Sequence, residues 1–423
     1  MTDTPIEDLS HGVRAPGTLW MIVGSLIGAV AAYLFQFLGT RALGDEGFAP
    51  IGALWTSLFV IATVVLVPLE QFATREASRN RHVWIHDRWV WIALIGAGVV
   101  LGVAFVWATD QRFFGGEPIY IVQIGVMMLG YGILFLGRGI LAGQRRFSSV
   151  GILLATESVL RLTVAFVILE TGGDAVTLGW SMAVGPLMML IVPFWRRPEG
   201  EPIGERTESP SRFLAAYASG TAASQILLAA SPLAVSFLGG SAALFSVVFV
   251  TFTLFRAPLT LIYSLQGRLL SMLVRFVDQG ERRRVRVFSS QIAVGGLLLT
   301  ALAWQVGRLI GPDIISFLFG PEFNPSSEVT GLVAAGMVAA SAAQITGQVL
   351  VAEGATGRLA SAWTIGLVLA LVALIGLDGE PDVVVAAAFA LGELAALCMV
   401  GFTVIRSHRA DRFTRPSVEH HGA

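Results

Sequence analysis

The chain has 423 residues, of which 55% are hydrophobic and only 13% are charged, and its mean hydropathy is +0.73. This composition excludes an ordinary soluble domain and is typical of a polytopic membrane protein. The formal net charge of −1 at pH 7 gives no indication of a nucleic-acid partner.

Residue types that are rare or absent exclude several chemistries. All 28 basic residues are arginine, so the chain has neither a Walker A lysine for nucleotide hydrolysis nor a Schiff-base lysine for a covalent cofactor. The single cysteine, Cys398, excludes an intrachain disulfide. His82 and His86 have a metal-like spacing, but no third ligand is obvious in their arginine-rich loop. We therefore expect neither a cofactor nor a metal, and energy for any transport must come from gradients or partners.

The predicted elements begin after an acidic, polar N-terminal tail, residues 1–17, which does not resemble a cleaved signal peptide. Crossing a hydrocarbon core of about 30 Å takes about 20 apolar residues. The sequence predicts an all-α protein with about twelve such spans, at approximately 18–38, 51–69, 89–107, 119–142, 150–169, 175–195, 213–238, 242–265, 287–310, 328–352, 359–377 and 383–405.

Arginine is distributed unevenly between the predicted loops. With the N-terminus inside, the inner loops and tails hold 22 of the 28 arginines, and the outer loops hold only Arg41, Arg112 and Arg308. Because positive charge is retained on the cytoplasmic side, this distribution predicts a plasma (inner) membrane protein with both termini in the cytoplasm.

One long polar connector, "WRRPEGEPIGERTESPSR", follows the sixth span and divides the spans six and six. The end of span four, "GRGILAGQRRFSS", weakly resembles the end of span ten, "GQVLVAEGATGRLAS". An even number of spans in each half makes such a repeat parallel. We predict an N-lobe at 18–195, a cytoplasmic linker at 196–212, a C-lobe at 213–405 and a cytoplasmic tail at 406–423.

Five ionisable residues lie clearly inside the predicted spans: Arg138, Glu157, Arg161, Arg256 and Glu393. A charge at the centre of a bilayer costs at least about 2.5 kcal/mol, so we expect these residues to face a polar interior. Span ten adds Ser341, Gln344 and Gln348 on one helical face.

Their spacing leaves two interpretations open for each acidic group. Glu157 and Arg161 are four residues apart on one helical face, so they form either a structural charge pair, in which Glu157 neutralises Arg161 or Arg138, or part of a transport site. Arg256 has no acidic residue within one turn of its own helix, which favours an anionic ligand. Glu393 is either a proton or sodium site or a partner for Arg256.

Four sequence stretches resemble one family of transporters. "LGTRALGDEGFAPIGALWTSLF", "ATREASR", "GQRRFSSVGILLATESVLRL" and "FLFGPEFNPSSEV" are similar in order and spacing to the polysaccharide biosynthesis, or oligosaccharide flippase, branch of the multidrug/oligosaccharidyl-lipid/polysaccharide (MOP) exporter superfamily. This superfamily also includes the drug and toxin extrusion (MATE) transporters and the lipid II flippases. The resemblance covers residues 17–406.

The resemblance implies a MATE-like, V-shaped pair of six-helix lobes that flips a polyprenyl diphosphate-linked oligosaccharide across the membrane by alternating access. A cation-lined cavity is typical of that branch. Arg256, Arg161 and Arg138, with Gln344 and Gln348, are the residues that we expect to bind substrate, and Glu157 and Glu393 are candidates for coupling or charge pairing. Glycosyltransferases and a polysaccharide polymerase are the protein partners that such a role implies.

Two other classes of function compete with this one. A cation-coupled multidrug exporter of the MATE type favours acidic cavity residues, and the first span has none. A membrane-embedded glycosyltransferase or ligase needs a large outer catalytic loop, whereas the longest outer segment, near 310–327, is short and poor in catalytic groups. The sequence therefore favours a transporter over an enzyme. The first outer loop, "GDEGFAP", departs from the pattern of the flippase branch.

Overall fold

The computed structural model describes residues 16–79, 83–190, 209–279, 281–353 and 355–410. In this part of the chain all regular secondary structure is helical, as expected from the composition. The α-helices are α1 (Pro16–Ile61), α2 (Val67–Ala77), α3 (Val83–His86), α4 (Arg88–Thr109), α5 (Ile119–Gly143), α6 (Phe147–Glu170), α7 (Ala175–Val184), α8 (Pro210–Phe237), α9 (Ala242–Asp278), α10 (Arg282–Phe319), α11 (Ser327–Ala352), α12 (Thr356–Gly376) and α13 (Pro381–Ala410).

Short π-helical segments, Ala62–Leu66 and Asp110–Phe114, follow α1 and α4, and a 3₁₀ segment, Gly185–Leu190, follows α7. Most of the N-terminal tail, most of the predicted linker, the end of the C-terminal tail and His82 lie outside the described residues.

Nine helices in the described part are long and apolar enough to cross a membrane. One of them, Leu19–Ala77, has 59 residues and contains both the first and the second predicted span. It is interrupted at Gly44, whose φ of 69° is favoured by glycine. Two shorter apolar helices, Ala175–Met189 and Ala222–Phe237, lie where spans six and seven are predicted. The protein is a multi-pass helical membrane protein, and the number twelve stays a prediction.

The chain divides into two compact units. The first contains Met1–Gln225, Pro232–Val250 and Ile315–Asn324, and the second contains Ile226–Ser231, Thr251–Ile314 and Pro325–Ala423. The lobe boundaries drawn from the sequence at the 196–212 linker stay a prediction. In α8, α9 and α10 the assignment changes from one unit to the other within a continuous helix.

Glycine allows close helix packing in the first unit. A Cβ atom on Gly24 of α1 would overlap the backbone of Gly151 in α6, and a Cβ atom on Gly139 of α5 would overlap the Glu70 carbonyl in α2. Without side chains at these crossings the helix backbones approach each other directly, as small residues permit in membrane proteins. These crossings place α1 against α6 and α2 against α5.

The second unit has its own core. Helix α13 packs against α11 and α12, and Gly366 of α12 lies so close to Gly392 of α13 that a Cβ atom would be 2.6 Å from the Gly392 carbonyl oxygen. On α11, alanine, glycine and valine supply most of the buried face. This close packing fixes the position of α13, on which Glu393 is carried.

Two arginines of the first unit contact the C-terminal turns of helices from later in the chain. Arg41 donates to the carbonyl oxygens of Phe317 and Leu318 in the last turn of α10. Arg112 donates to the Ser236 carbonyl in the last turn of α8 over 3.3 Å. The last four carbonyls of a helix have no amide partner within it, and cations are favoured at this end of the helix dipole. Both arginines therefore act as C-terminal caps.

Candidate functional site

Two buried charges of the first unit, Glu157 and Arg161, belong to a hydrogen-bonded group between α5 and α6. Arg161 Nη1 lies 2.7 Å from Glu157 Oε1 and donates to the Tyr131 hydroxyl over 2.6 Å. The same hydroxyl donates to Glu157 Oε1 over 2.9 Å. Because α6 brings Glu157 and Arg161 to one face, α5 needs to supply only Tyr131 to close the triangle.

This group is buried. The side chains of Glu157 and Arg161 are each 7% exposed. Ser158 donates to the other carboxylate oxygen of Glu157 over 2.9 Å, and the guanidinium of Arg161 lies 5.0 Å from the centre of the Trp55 ring. A buried carboxylate with three donors, paired with a stacked arginine, has the bonds that offset the cost of burying both charges.

The sequence predicted the charge pair but not Tyr131 or Trp55. Both are aromatic residues inside apolar runs, where an aromatic side chain is usually part of the core. The available signal was that a tyrosine at membrane depth needs a hydrogen-bond partner for its hydroxyl.

Arg138 belongs to a second pair in the same unit. Its Nη2 lies 2.9 Å from Oε1 and 3.1 Å from Oε2 of Glu70 in α2, and its guanidinium lies 4.7 Å from the centre of the Phe135 ring. Its acidic neighbour is therefore Glu70 rather than Glu157. Glu70 directly follows the second apolar run, so the sequence did not mark it as a charge inside a span.

Arg256 lies in α9 of the second unit and is half-buried. Its Nη2 donates a hydrogen bond to the backbone carbonyl oxygen of Leu228 in α8. A carbonyl accepts such a bond without neutralising the guanidinium charge.

Glu393 lies in α13 and is fully buried. Within the described part of the chain neither of its carboxyl oxygens has a hydrogen-bond partner. Glu393 is therefore not hydrogen-bonded to Arg256, which the sequence left open as one alternative. Burying a carboxyl group without a partner is costly, so this residue calls for a functional explanation.

The remaining predicted residues, Gln344 and Gln348, are half-buried in α11 of the second unit. The structure thus brings Glu157 and Arg161 together and places Arg138 in the same unit. Arg256, Glu393 and the two glutamines belong to the other unit. Among the described residues no group of three histidine, cysteine or acidic side chains is placed to hold a metal ion.

Comparison with known sequences gives distant relatives. No family model matches the chain. The uncharacterized protein Rv1510 of Mycobacterium tuberculosis is 27% identical over 388 residues, which cover 88% of this chain and 87% of the relative. The uncharacterized protein Rv3630 of the same organism is 24% identical over 397 residues, which cover 87% and 88%.

Solved structures resemble the chain over almost its whole length. An inward-facing multidrug resistance MATE family transporter of the MOP superfamily matches with a TM-score of 0.74 at 12% identity and covers 94% of this chain and 100% of its own. An outward-facing MATE family transporter matches with a TM-score of 0.62 at 13% identity, covering 95% and 98%. The Vibrio cholerae MATE transporter VcmN matches with a TM-score of 0.58 at 16% identity, covering 93% and 96%. The chain therefore has the fold of the MATE family transporters.

Proposed function

We propose that this protein is a flippase that moves a polyprenyl diphosphate-linked oligosaccharide from the cytoplasmic to the outer leaflet of the plasma membrane, with both termini in the cytoplasm. The MATE transporter fold supports a role in export. The observation that carries the choice of substrate is Arg256, a half-buried guanidinium in the apolar helix α9 that donates to a carbonyl of α8. An arginine at this depth is suited to an anionic group.

The diphosphate is the part of such a substrate that an arginine recognises. Its oxygens accept paired hydrogen bonds from a guanidinium, and these charge-assisted bonds are stronger than bonds between neutral groups. Arg256 is the residue to which we assign this contact. The polyprenyl tail stays in lipid, so only the sugar and the diphosphate need a polar path. Release on the far side requires that the arginine binds the diphosphate less tightly in the outward state.

The two other arginines have secondary roles in this proposal. Arg161 and Arg138 are each bonded to a carboxylate, Glu157 and Glu70 respectively. An anion reaches either guanidinium only in competition with that carboxylate.

Replacing Arg256 tests the proposal. Arg256→Ala should weaken binding of the diphosphate by roughly tenfold to a hundredfold, because a hydrogen bond to a charged group contributes about 1.5–3 kcal/mol. The measurements are export of surface polysaccharide in cells and flipping of a polyprenyl diphosphate-linked sugar in proteoliposomes, each normalised to the amount of protein in the membrane.

The matched control is Arg284→Ala, which removes an arginine whose side chain is 68% exposed. It should leave both measurements unchanged. Normal flipping by Arg256→Ala at normal membrane abundance would show that Arg256 does not bind the substrate.

A second candidate function is a cation-coupled multidrug exporter of the MATE type. Glu393 favours it, because a fully buried carboxyl group without a hydrogen-bond partner among the described residues is suited to take up a coupling proton or ion. A coupling ion at Glu393 is also compatible with a flippase, so this residue alone does not separate the two functions. A direct assay of substrate does.

A further inference from the structure

Helix α8 contains a proline in its interior, at Pro232. Proline has no backbone N–H, so the carbonyl oxygen four residues earlier, that of Leu228, lacks the amide that would donate a hydrogen bond to it within the helix. In an apolar environment an unbonded carbonyl costs free energy, and it must find a donor elsewhere. Pro232 therefore creates both a bend point and an orphan acceptor in α8.

Arg256 supplies the missing donor. Its Nη2 donates to the carbonyl of Leu228, the acceptor from which Pro232 removes the helical amide donor. A guanidinium from α9 thus replaces, from the side, the hydrogen bond that the helix has lost. This contact gives Arg256 a structural role that does not depend on a bound substrate.

This contact lies close to a place where α8 passes from one compact unit to the other. The division between the two compact units falls between Ser231 and Pro232 in α8, and between Val250 and Thr251 in α9. It falls between Ile314 and Ile315 in α10, and both α9 and α10 contain an interior proline, at Pro258 and Pro312. In each helix the proline lies within about two turns of the division. Since kinks in helices form at proline, these are the places where the three helices bend most easily.

We propose that Arg256 is a releasable clamp on a proline hinge in α8, and that its guanidinium exchanges the Leu228 carbonyl for an anionic ligand of the phosphate or diphosphate class. An anion that offers two charged oxygens binds a guanidinium more strongly than a single carbonyl does. Binding the anion therefore frees the Leu228 carbonyl and makes α8 easier to bend. The identity of the anion rests on the proposed function, whereas the clamp itself does not.

The clamp is tested first by a double-mutant cycle in thermal stability, with the full-length protein in nanodiscs. Pro232→Ala restores the amide that bonds the Leu228 carbonyl and so makes Arg256 redundant. Arg256→Ala should lower Tm by a few degrees in the native background and by much less in the Pro232→Ala background. Pro312→Ala, which removes an interior proline from α10, should leave the effect of Arg256→Ala unchanged. Equal effects of Arg256→Ala in all three backgrounds would overturn the clamp.

The replacement of the Leu228 carbonyl by an anion is tested by hydrogen–deuterium exchange of the amides between residues 226 and 236, with inorganic pyrophosphate as the probe. Pyrophosphate should speed exchange in the native protein and have no effect in Arg256→Ala or in Pro232→Ala. If pyrophosphate leaves the hydrogen–deuterium exchange of the native protein unchanged, the guanidinium does not exchange the Leu228 carbonyl for an anion.

Nanodiscs of phosphatidylcholine and of phosphatidylglycerol separate the two sources of anion. Faster exchange in phosphatidylglycerol without pyrophosphate would assign the anion to a bilayer lipid and overturn the link to substrate. The Tm cycle needs no substrate, so it distinguishes a failure of the clamp from a failure of the proposed flippase function. If the clamp is wrong, the effect of Arg256→Ala on Tm does not depend on Pro232. If the flippase function is wrong, that dependence remains but the lipid-linked sugar is not flipped.

Discussion

At the scale of single residues, two ion pairs of the first unit are held by partners on their own helix and on neighbouring helices. Glu157 accepts hydrogen bonds from Arg161, Tyr131 and Ser158, and it is buried. Glu70 accepts from Arg138. These bonds hold neighbouring helices together, so both pairs have a structural role.

Glu157→Gln tests which role dominates at the buried pair. The amide cannot neutralise Arg161, and breaking a buried ion pair by removing one partner costs about 3–5 kcal/mol. We therefore expect a lower Tm and less folded protein in the membrane. The control is Glu170→Gln, at the exposed end of the same helix, which should change neither quantity.

Transport by Glu157→Gln gives the second part of this test. A variant with native stability, at least native substrate affinity and slower turnover would contradict the structural role. It would show that Glu157 competes with the substrate for Arg161. The charge-swapped protein, with Glu157→Arg and Arg161→Glu, recovers stability and transport together only if pairing is all that matters.

At the scale of helices, the crossing of α1 and α6 depends on two glycines. A Cβ atom on Gly24 would overlap the backbone of Gly151, whereas a Cβ atom on Gly96 in α4 would have nothing within 4 Å. Both residues are helical, so alanine is equally acceptable to their local backbone.

Gly24→Ala should therefore destabilise the protein, and Gly96→Ala should not. The added methyl group forces the two helix backbones apart, and contacts along the whole crossing are lost. Overpacking of this kind costs about 1–3 kcal/mol. Thermal unfolding of both variants in the same detergent checks this. Equal Tm values for the two variants would show that α1 and α6 do not cross closely at Gly24.

At the scale of the whole molecule, the transported substrate separates the two candidate functions. Deleting the gene should trap lipid-linked oligosaccharide in the inner leaflet and leave sensitivity to cationic dyes almost unchanged. The measurement compares the leaflet distribution of the lipid-linked sugar in the deletion strain with that in strains complemented by the native gene and by Arg256→Ala. Broad dye sensitivity with normal glycan export would instead identify a multidrug exporter.

The sequence by itself determined that this is an all-helical membrane protein. The apolar composition indicates that the chain lies in a bilayer. Only structures that satisfy their own backbone hydrogen bonds can span a bilayer. The run lengths of apolar residues located the helices, and the rarity of charge within them selected Arg138, Glu157, Arg161, Arg256 and Glu393 as the residues that need an explanation.

The tertiary structure alone decided which partners these charges have on other helices. Helical periodicity fixes which residues share a face of one helix, and so the Glu157 and Arg161 pair was predictable. It does not fix which neighbouring helix lies opposite that face. Tyr131 beside Arg161, Glu70 beside Arg138 and the Leu228 carbonyl beside Arg256 all lie on a different helix from the arginine that they bind. Only the packing of one helix against another brings these groups within hydrogen-bonding distance.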